Sequence, residues 1–260
     1  MSTRRAVIAP HGTGRRKARG GWKVLGRVLW LALLVEVGAA LYTSPAFRVH
    51  QVTVEGLRLT RPEEVVQAME LGERSNWLFL SPSRLAHRVQ RLPAVAEVVV
   101  ARRLWANLHV RVFERQPRAL LRTSGGSYWI DMRGVPFWKT DERAGLAEIV
   151  VQAPLTVRLG QPVSHRAVQA ALDILDRHAR EYGLPVLQIV VDREGNLCLN
   201  MKGGLPRVKL GDSTGLARKM ACAAELWQQP ELVQQAEYLD VSYVEKPVWK
   251  PRRSGKGAAQ

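Results

Sequence analysis

Residues 92–119 read LPAVAEVVVARRLWANLHVRVFERQPRA, and this stretch decides the fold. Residues 95–103 (VAEVVVARR) are rich in valine and residues 108–114 (LHVRVFE) alternate, so they predict two strands joined around Trp105-Ala106-Asn107. A hairpin of this length needs another layer against one face. The preceding residues supply it. Ser81-Pro82 opens a predicted helix in which Leu85, Val89 and Leu92 recur at i, i+4 and i+7, and Pro93 stops it. Further upstream, Thr60, Pro62 and Glu63 form a capping-box start for a short helix through Met69, with Val65, Val66 and Met69 on its apolar face. Residues 47–55 (FRVHQVTVE) alternate as a strand that ends at Gly56. Strand, helix, helix, strand, strand over roughly seventy residues is a small α+β domain, placed at residues 46–115.

A second unit is expected at 116–245, beginning at Pro117. Residues 119–122, 128–131 and 135–139 are short predicted strands between turns at 124–126 and 132–134. Ser164 is expected to cap a helix through Tyr182, with Val168, Ala171, Leu172 and Leu175 inside and Gly183 as its stop. Residues 187–192, 197–201 and 208–210 predict a meander. A helix near 214–228 and a last strand at 238–243 follow, and residues 246–260 are read as a basic tail. The fold class is therefore α+β: a β-α-α-β-β domain, then a mixed β domain with two helices.

The chain has 260 residues and a formal net charge of +16. Residues 1–27 hold eight bases and no acid, and residues 246–260 hold five bases and no acid. All 23 acids lie between 28 and 245, against 26 bases there, so the middle carries only +3. A basic groove for nucleic acid puts its charge on a folded surface, whereas here most of it sits at the ends. Residues 28–42 (VLWLALLVEVGAALY) are apolar apart from Glu36, and extending back to Val24 includes Arg27. A span needs ~20 largely apolar residues, so this one reads as short. A buried soluble helix, a cleaved signal peptide and an uncleaved anchor compete. The long acid-free leader favours the anchor, with a transmembrane helix at 24–43 after a leader at 1–23. Arg15, Arg16, Lys17, Arg19, Lys23 and Arg27 would then hold the N-terminus in the cytoplasm.

One motif carries a chemical suggestion. Residues 211–215 (GDSTG) match G-x-S-x-G between a predicted strand and a predicted helix, where a nucleophile elbow sits. That elbow needs a later histidine, and the last one, His178, precedes Ser213. The plainer reading is a turn in which Asp212, Ser213 or Thr214 caps the next helix. The six histidines are scattered without metal-ligand spacing. The interval that puts Asp173, Asp176 and His178 on one helix reads as a solvated face. Cys198 and Cys222 read as two buried thiols, with a bridge between them as the alternative. No active site, metal or cofactor is expected, and the basic ends read as topology and lipid contact.

The order of features resembles the bacterial FtsQ (DivIB) cell-division family. The resemblance covers about residues 22–251. Its pieces are the basic leader and single anchor, FRVHQVTVEG opening a POTRA domain, residues 92–119, YWIDMRGVPF, VKLGDSTGLARKM and YLDVSYVEKPVWKP. The stretch 114–119 (ERQPRA) is the most telling, and Ala106 stands where the family commonly has proline. The resemblance implies a non-enzymatic scaffold of the divisome. It would cross the inner membrane once, act at the septum and bind FtsB/DivIC and FtsL outside the cytoplasm. It also implies that the last strand takes up a partner strand, here through Tyr238, Leu239, Asp240, Val241, Ser242 and Tyr243, with Val248 and Trp249 extending the surface. The two readings that compete with the scaffold are an envelope serine hydrolase built on Ser213 and a membrane-tethered binder of anionic lipid or nucleic acid.

Overall fold

Helix α1 (Gly21–Thr43) opens the computed structural model, which describes residues 21–72, 75–204 and 206–252. Its apolar part, Lys23–Thr43, has a mean hydropathy of 2.0 and none of it is buried in the protein. At ~1.5 Å per residue its 21 residues reach about 30 Å, the thickness of a bilayer's hydrocarbon core. The helix is thus longer than the apolar letters suggested, because Lys23 and Arg27 are incorporated into its first turns. An unburied surface of this kind does not suit a soluble core helix. Arg15, Arg16, Lys17 and Arg19 lie outside the described residues.

After a single helical turn at Pro45–Phe47, β1 (Gln51–Glu55) begins. It is shorter than the alternation predicted. Helices α2 (Pro62–Ala68) and α3 (Pro82–Val89) and strands β2 (Val95–Arg103) and β3 (Asn107–Glu114) complete the first domain in the expected order. The sheet order is β1-β3-β2, with β1 parallel to β3 and β2 antiparallel to it. Val65, Met69, Leu85 and Val89 from the helices bury against Val95, Val98, Leu108, Val110 and Val112 of the sheet. Each fully buried aliphatic side chain of this kind contributes roughly 1.5–3 kcal/mol. Between β2 and β3 the chain reverses through the three residues Leu104, Trp105 and Ala106, and Trp105 (φ 65°) and Ala106 (φ 57°) both take left-handed backbone. For non-glycine residues that costs about 1–2 kcal/mol each.

The expected capping box is absent. Arg61 caps α2 without a side-chain bond, and the hydroxyl of Thr60 is buried without a partner. The loop before the helix is held instead by Glu114. Its carboxylate accepts from the backbone N–H groups of Arg58 (2.9 Å), Leu59 (2.9 Å) and Thr60 (2.8 Å).

The second domain is one nine-stranded mixed sheet. Its strands are β4 (Ala119–Thr123), β5 (Gly126–Ile130), β6 (Pro136–Lys139), β7 (Ala147–Val151), β8 (Val186–Val191), β9 (Leu197–Met201), β10 (Arg207–Gly211), β11 (Ala236–Asp240) and β12 (Val248–Pro251). They lie in the order β12-β11-β10-β9-β8-β7-β4-β5-β6. Helix α4 starts at Arg166–Asp173, widens into a π-helical turn at Ile174–His178 and ends at Ala179–Glu181. It shares one face of the sheet with α5 (Leu216–Trp227), burying Val168, Ala171, Ile174, Met220 and Ala223 against Leu121, Ile149, Ile189, Leu199, Val208 and Leu239. A further short helix, α6 (Pro230–Gln235), leads into β11. His178 is buried rather than on a solvated face, between Asp173 (3.6 Å) and Glu181 (3.9 Å).

The other face of the sheet is polar. Cross-strand register aligns Glu148, Gln188 and Asn200 in one row, and Val190, Cys198, Lys209 and Asp240 in the next. Cys198 therefore lies on the open face while Cys222 packs on the helical face. The sheet separates them, both thiols are free, and burial pushes both upward from the usual thiol range.

Candidate partner-docking edge

A sheet of nine strands has two edges, and they are finished differently. At β6 the chain folds back: Gly160 donates to Pro136 O (2.8 Å) and Val163 donates to Gly134 O (2.8 Å). At β12, pairing is to β11 alone among the described residues. This relocates the sequence expectation. Residues 238–240 belong to an internal strand, parallel to β10 on one side and antiparallel to β12 on the other. Leu239 and Val241 are fully buried, Tyr238, Asp240 and Ser242 are half-buried, and Tyr243 is 82% exposed in the turn that follows. The open edge is Val248–Pro251, a strand inside what the sequence suggested was tail. Of the residues singled out, Val248 (55% exposed) and Trp249 (41% exposed) are the two on it.

Hydrogen-bond direction along β12 follows from its neighbours. Val241 N–H donates to Lys209 O (2.9 Å), so strand alternation turns the N–H groups of Tyr238 and Asp240 toward β12. Their partners Lys250 and Val248 face inward in return, and Arg252 N–H, donating to Gln235 O (2.7 Å), continues the same alternation. The backbone N–H and C=O of Trp249 then point outward. Pro251 falls at the next outward position, where it has no N–H to offer, and Pro247 immediately precedes the strand. The edge is short and bracketed by prolines, a design that limits indiscriminate strand pairing while leaving room for one short segment.

Side chains fasten β12 to the sheet. Lys250 Nζ pairs with Glu237 Oε2 (3.0 Å) and lies 5.8 Å from the centre of the Tyr238 ring, whose other flank holds Lys209 Nζ at 3.9 Å. Arg252 Nε donates to Ala236 O (2.9 Å). Gly211, at φ 67°, lets β10 pass Ser242, because a Cβ there would come within 2.9 Å of the serine Oγ. The edge thus rests on an ordered platform.

Residues 211–215 lie nearby as a turn. Asp212 Oδ1 accepts from Thr214 Oγ1 (2.7 Å), Thr214 N (3.2 Å) and the buried ammonium of Lys219 (2.7 Å). Hydrogen bonds from Lys219 and Thr214 bring its carboxyl down to about 2. The cap of α5 is Gly215 at φ 61°, with no side-chain bond, so none of Asp212, Ser213 and Thr214 acts as the cap. A cleft of about 750 Å³ beside this turn is lined by Asp192, Cys198, Lys209, Asp212, Lys219 and Tyr243 among others, and no histidine among the described residues lines it. No cluster of three or more metal-ligating side chains occurs among the described residues.

Comparison with known proteins agrees with this architecture. Residues 47–115 match the POTRA domain, FtsQ-type, the segment that folds here as the first domain. The chain is 27% identical over 219 residues to the cell division protein FtsQ of Mycobacteroides abscessus, covering 84% of this chain and 68% of that protein. It is 25% identical over 202 residues to the protein of the same name from Mycobacterium tuberculosis, covering 76% of this chain and 62% of the relative. Against the FtsQ protein of a Geobacter species it is 25% identical over 239 residues, 89% of this chain and 81% of the relative. The chain thus spans about two thirds of the length of the mycobacterial relatives. The chain thus carries an FtsQ-type POTRA domain, and its similarity to FtsQ cell division proteins runs through both domains.

Proposed function

We propose that this protein is a non-enzymatic scaffold of the bacterial division machinery, anchored by α1 and docking partners outside the cytoplasm at the septum. In this reading β12 accepts a strand from an FtsB/DivIC-like protein paired with FtsL. The observation that carries it is the outward-facing backbone of Trp249 on β12, the edge of the nine-stranded sheet that pairs with β11 alone among the described residues. Backbone groups of an open edge give affinity, and alternate side chains give selectivity. Val248 and Lys250 flank the open face and Trp249 the helical face. Strand β11 acts as the internal support of that edge.

The test is a pair of substitutions at one position. Trp249→Ala removes the side chain and keeps the outward N–H, whereas Trp249→Pro removes both. Co-purification of a small single-pass coiled-coil protein with the full chain should weaken in the first and be lost in the second. Equal retention in both variants would remove strand addition as the docking mode.

A further inference from the structure

The POTRA domain carries a second exposed feature, at the end nearest α1. Because β1 runs parallel to β3 and starts beside it (Gln51 aligned with Asn107), the β2–β3 turn lies at the same end of the sheet as the start of β1. Only residues 44–50 separate that start from Thr43, the last residue of α1. The connection is tied down: Asn76 Nδ2 donates to the carbonyls of Leu41 (2.8 Å) and Tyr42 (2.9 Å), and the Tyr42 and Phe79 rings lie 5.6 Å apart. His50 N–H donates to Ala106 O (3.1 Å), and Trp77 Nε1 donates to Asn107 O (3.1 Å), which joins the hairpin turn to the same cluster.

At the tip, Leu104 is 77% exposed and Trp105 is 86% exposed, and Phe79, whose ring contacts Tyr42 at the end of α1, is exposed too. Trp105 occupies a left-handed position that glycine or asparagine takes more readily, so local turn geometry does not account for it. Arg48 and Arg103 are exposed around it, and Arg102 packs over the Trp77 ring. Residues 44–54, 75–92 and 98–113 contain no acid. An aromatic tip with cationic flanks and no acid, fixed next to the end of an apolar helix, is the arrangement that settles at a bilayer interface.

We propose that the Leu104-Trp105 hairpin tip and Phe79 dock on the surface of the membrane that α1 crosses, with Arg48 and Arg103 reaching anionic lipid phosphates. The POTRA domain would then be held at a fixed tilt to the bilayer. This rests on the reading of α1 as a membrane anchor, so the experiment reports on each separately.

The full chain with Cys198 and Cys222 replaced by serine is reconstituted into phosphatidylcholine vesicles, with and without phosphatidylglycerol. A single environment-sensitive fluorophore is placed at Trp105→Cys, at Leu104→Cys as a second variant, at Val37→Cys within α1, or at Glu194→Cys on the far domain. Nitroxide-labelled lipids should quench the labels at 37, 104 and 105 by roughly twofold or more, with those at 104 and 105 quenched more strongly when anionic lipid is present, and leave 194 unchanged. Quenching at 37 without quenching at 104 and 105, or equal quenching at 105 and 194, overturns the docking proposal. Absence of quenching at 37 as well overturns both it and the anchor reading.

Discussion

Arg115 and Asp131 are joined by a 2.6 Å ion pair between largely buried side chains, and they belong to different domains. Arg115 follows the last POTRA strand and also donates from Nε to Pro93 O (3.0 Å). Asp131 follows β5, and its second oxygen accepts from the N–H groups of Arg133 and Val135, both at 2.9 Å. The preceding residue, Glu114, holds the loop at 58–60. Two adjacent side chains thus face opposite ways across the junction, one closing each domain.

Arg115→Ala leaves Asp131 buried without its cation, a loss that typically costs about 3–5 kcal/mol. The two N–H groups still bonded to Asp131 place the expected value at the low end. Urea unfolding of the full chain in detergent should show the lower midpoint. Arg115→Lys should recover only part of it, because a lysine cannot serve Pro93 O and Asp131 from one fork.

Replacing Glu114 by alanine removes the acceptor for three backbone donors. Water reaches part of this loop, so a loss of about 1–2 kcal/mol is expected. Hydrogen exchange at the amides of residues 58–60 should accelerate, with Glu114→Gln intermediate.

These two contacts mark what the sequence made legible and what it did not. The β2–β3 hairpin was plain from residues 95–114, because β2 is rich in valine and the alternation of β3 is local. The helix at Ser81-Pro82 was equally plain, and its serine does accept from Arg84 N–H (3.5 Å). The support of α2 was misread, because Glu63 satisfied a local pattern while the working carboxylate, Glu114, lies 54 residues from Thr60. Strand β7 went unread because Glu148 breaks its apolar run. In the fold that charge is buried among Arg122 (2.8 Å), Gln188 (2.7 Å) and Arg143. Strand β12 was invisible for a different reason. All four residues are exposed and prolines bracket them, so neither alternation nor hydrophobicity marked it. The open edge of the sheet is therefore β12, one strand beyond the segment 238–243 that the sequence singled out.

Burial raises the Glu148 carboxyl, but hydrogen bonds from Arg143 and Gln188 and the charges of Arg143 and Arg122 outweigh it, leaving its pKa lowered. A carboxylate whose folded pKa lies below its unfolded value stabilises the protein above the unfolded value. That contribution is lost as pH falls through the folded one. Thermal melts should therefore show the full chain losing stability on acidification below about pH 4.5 more steeply than a Glu148→Gln variant.

Proline at Val241 and proline at Trp249 should separate support from docking. Val241→Pro deletes the N–H to Lys209 O inside the sheet, with an expected loss of about 1–3 kcal/mol. Relative to Trp249→Ala, Trp249→Pro removes only an outward donor and should lie within about 1 kcal/mol of it. Denaturation midpoints of the three variants check the ordering.

Site-specific photocrosslinking in dividing cells tests the docking edge most directly. With the photoreactive residue at Lys250 or Val248 on β12, capture of a small coiled-coil membrane protein is expected, while position Lys139 on β6 at the opposite edge should capture none. Capture at Lys139 with none at 248 or 250 would contradict the assignment of β12 as the partner-docking strand.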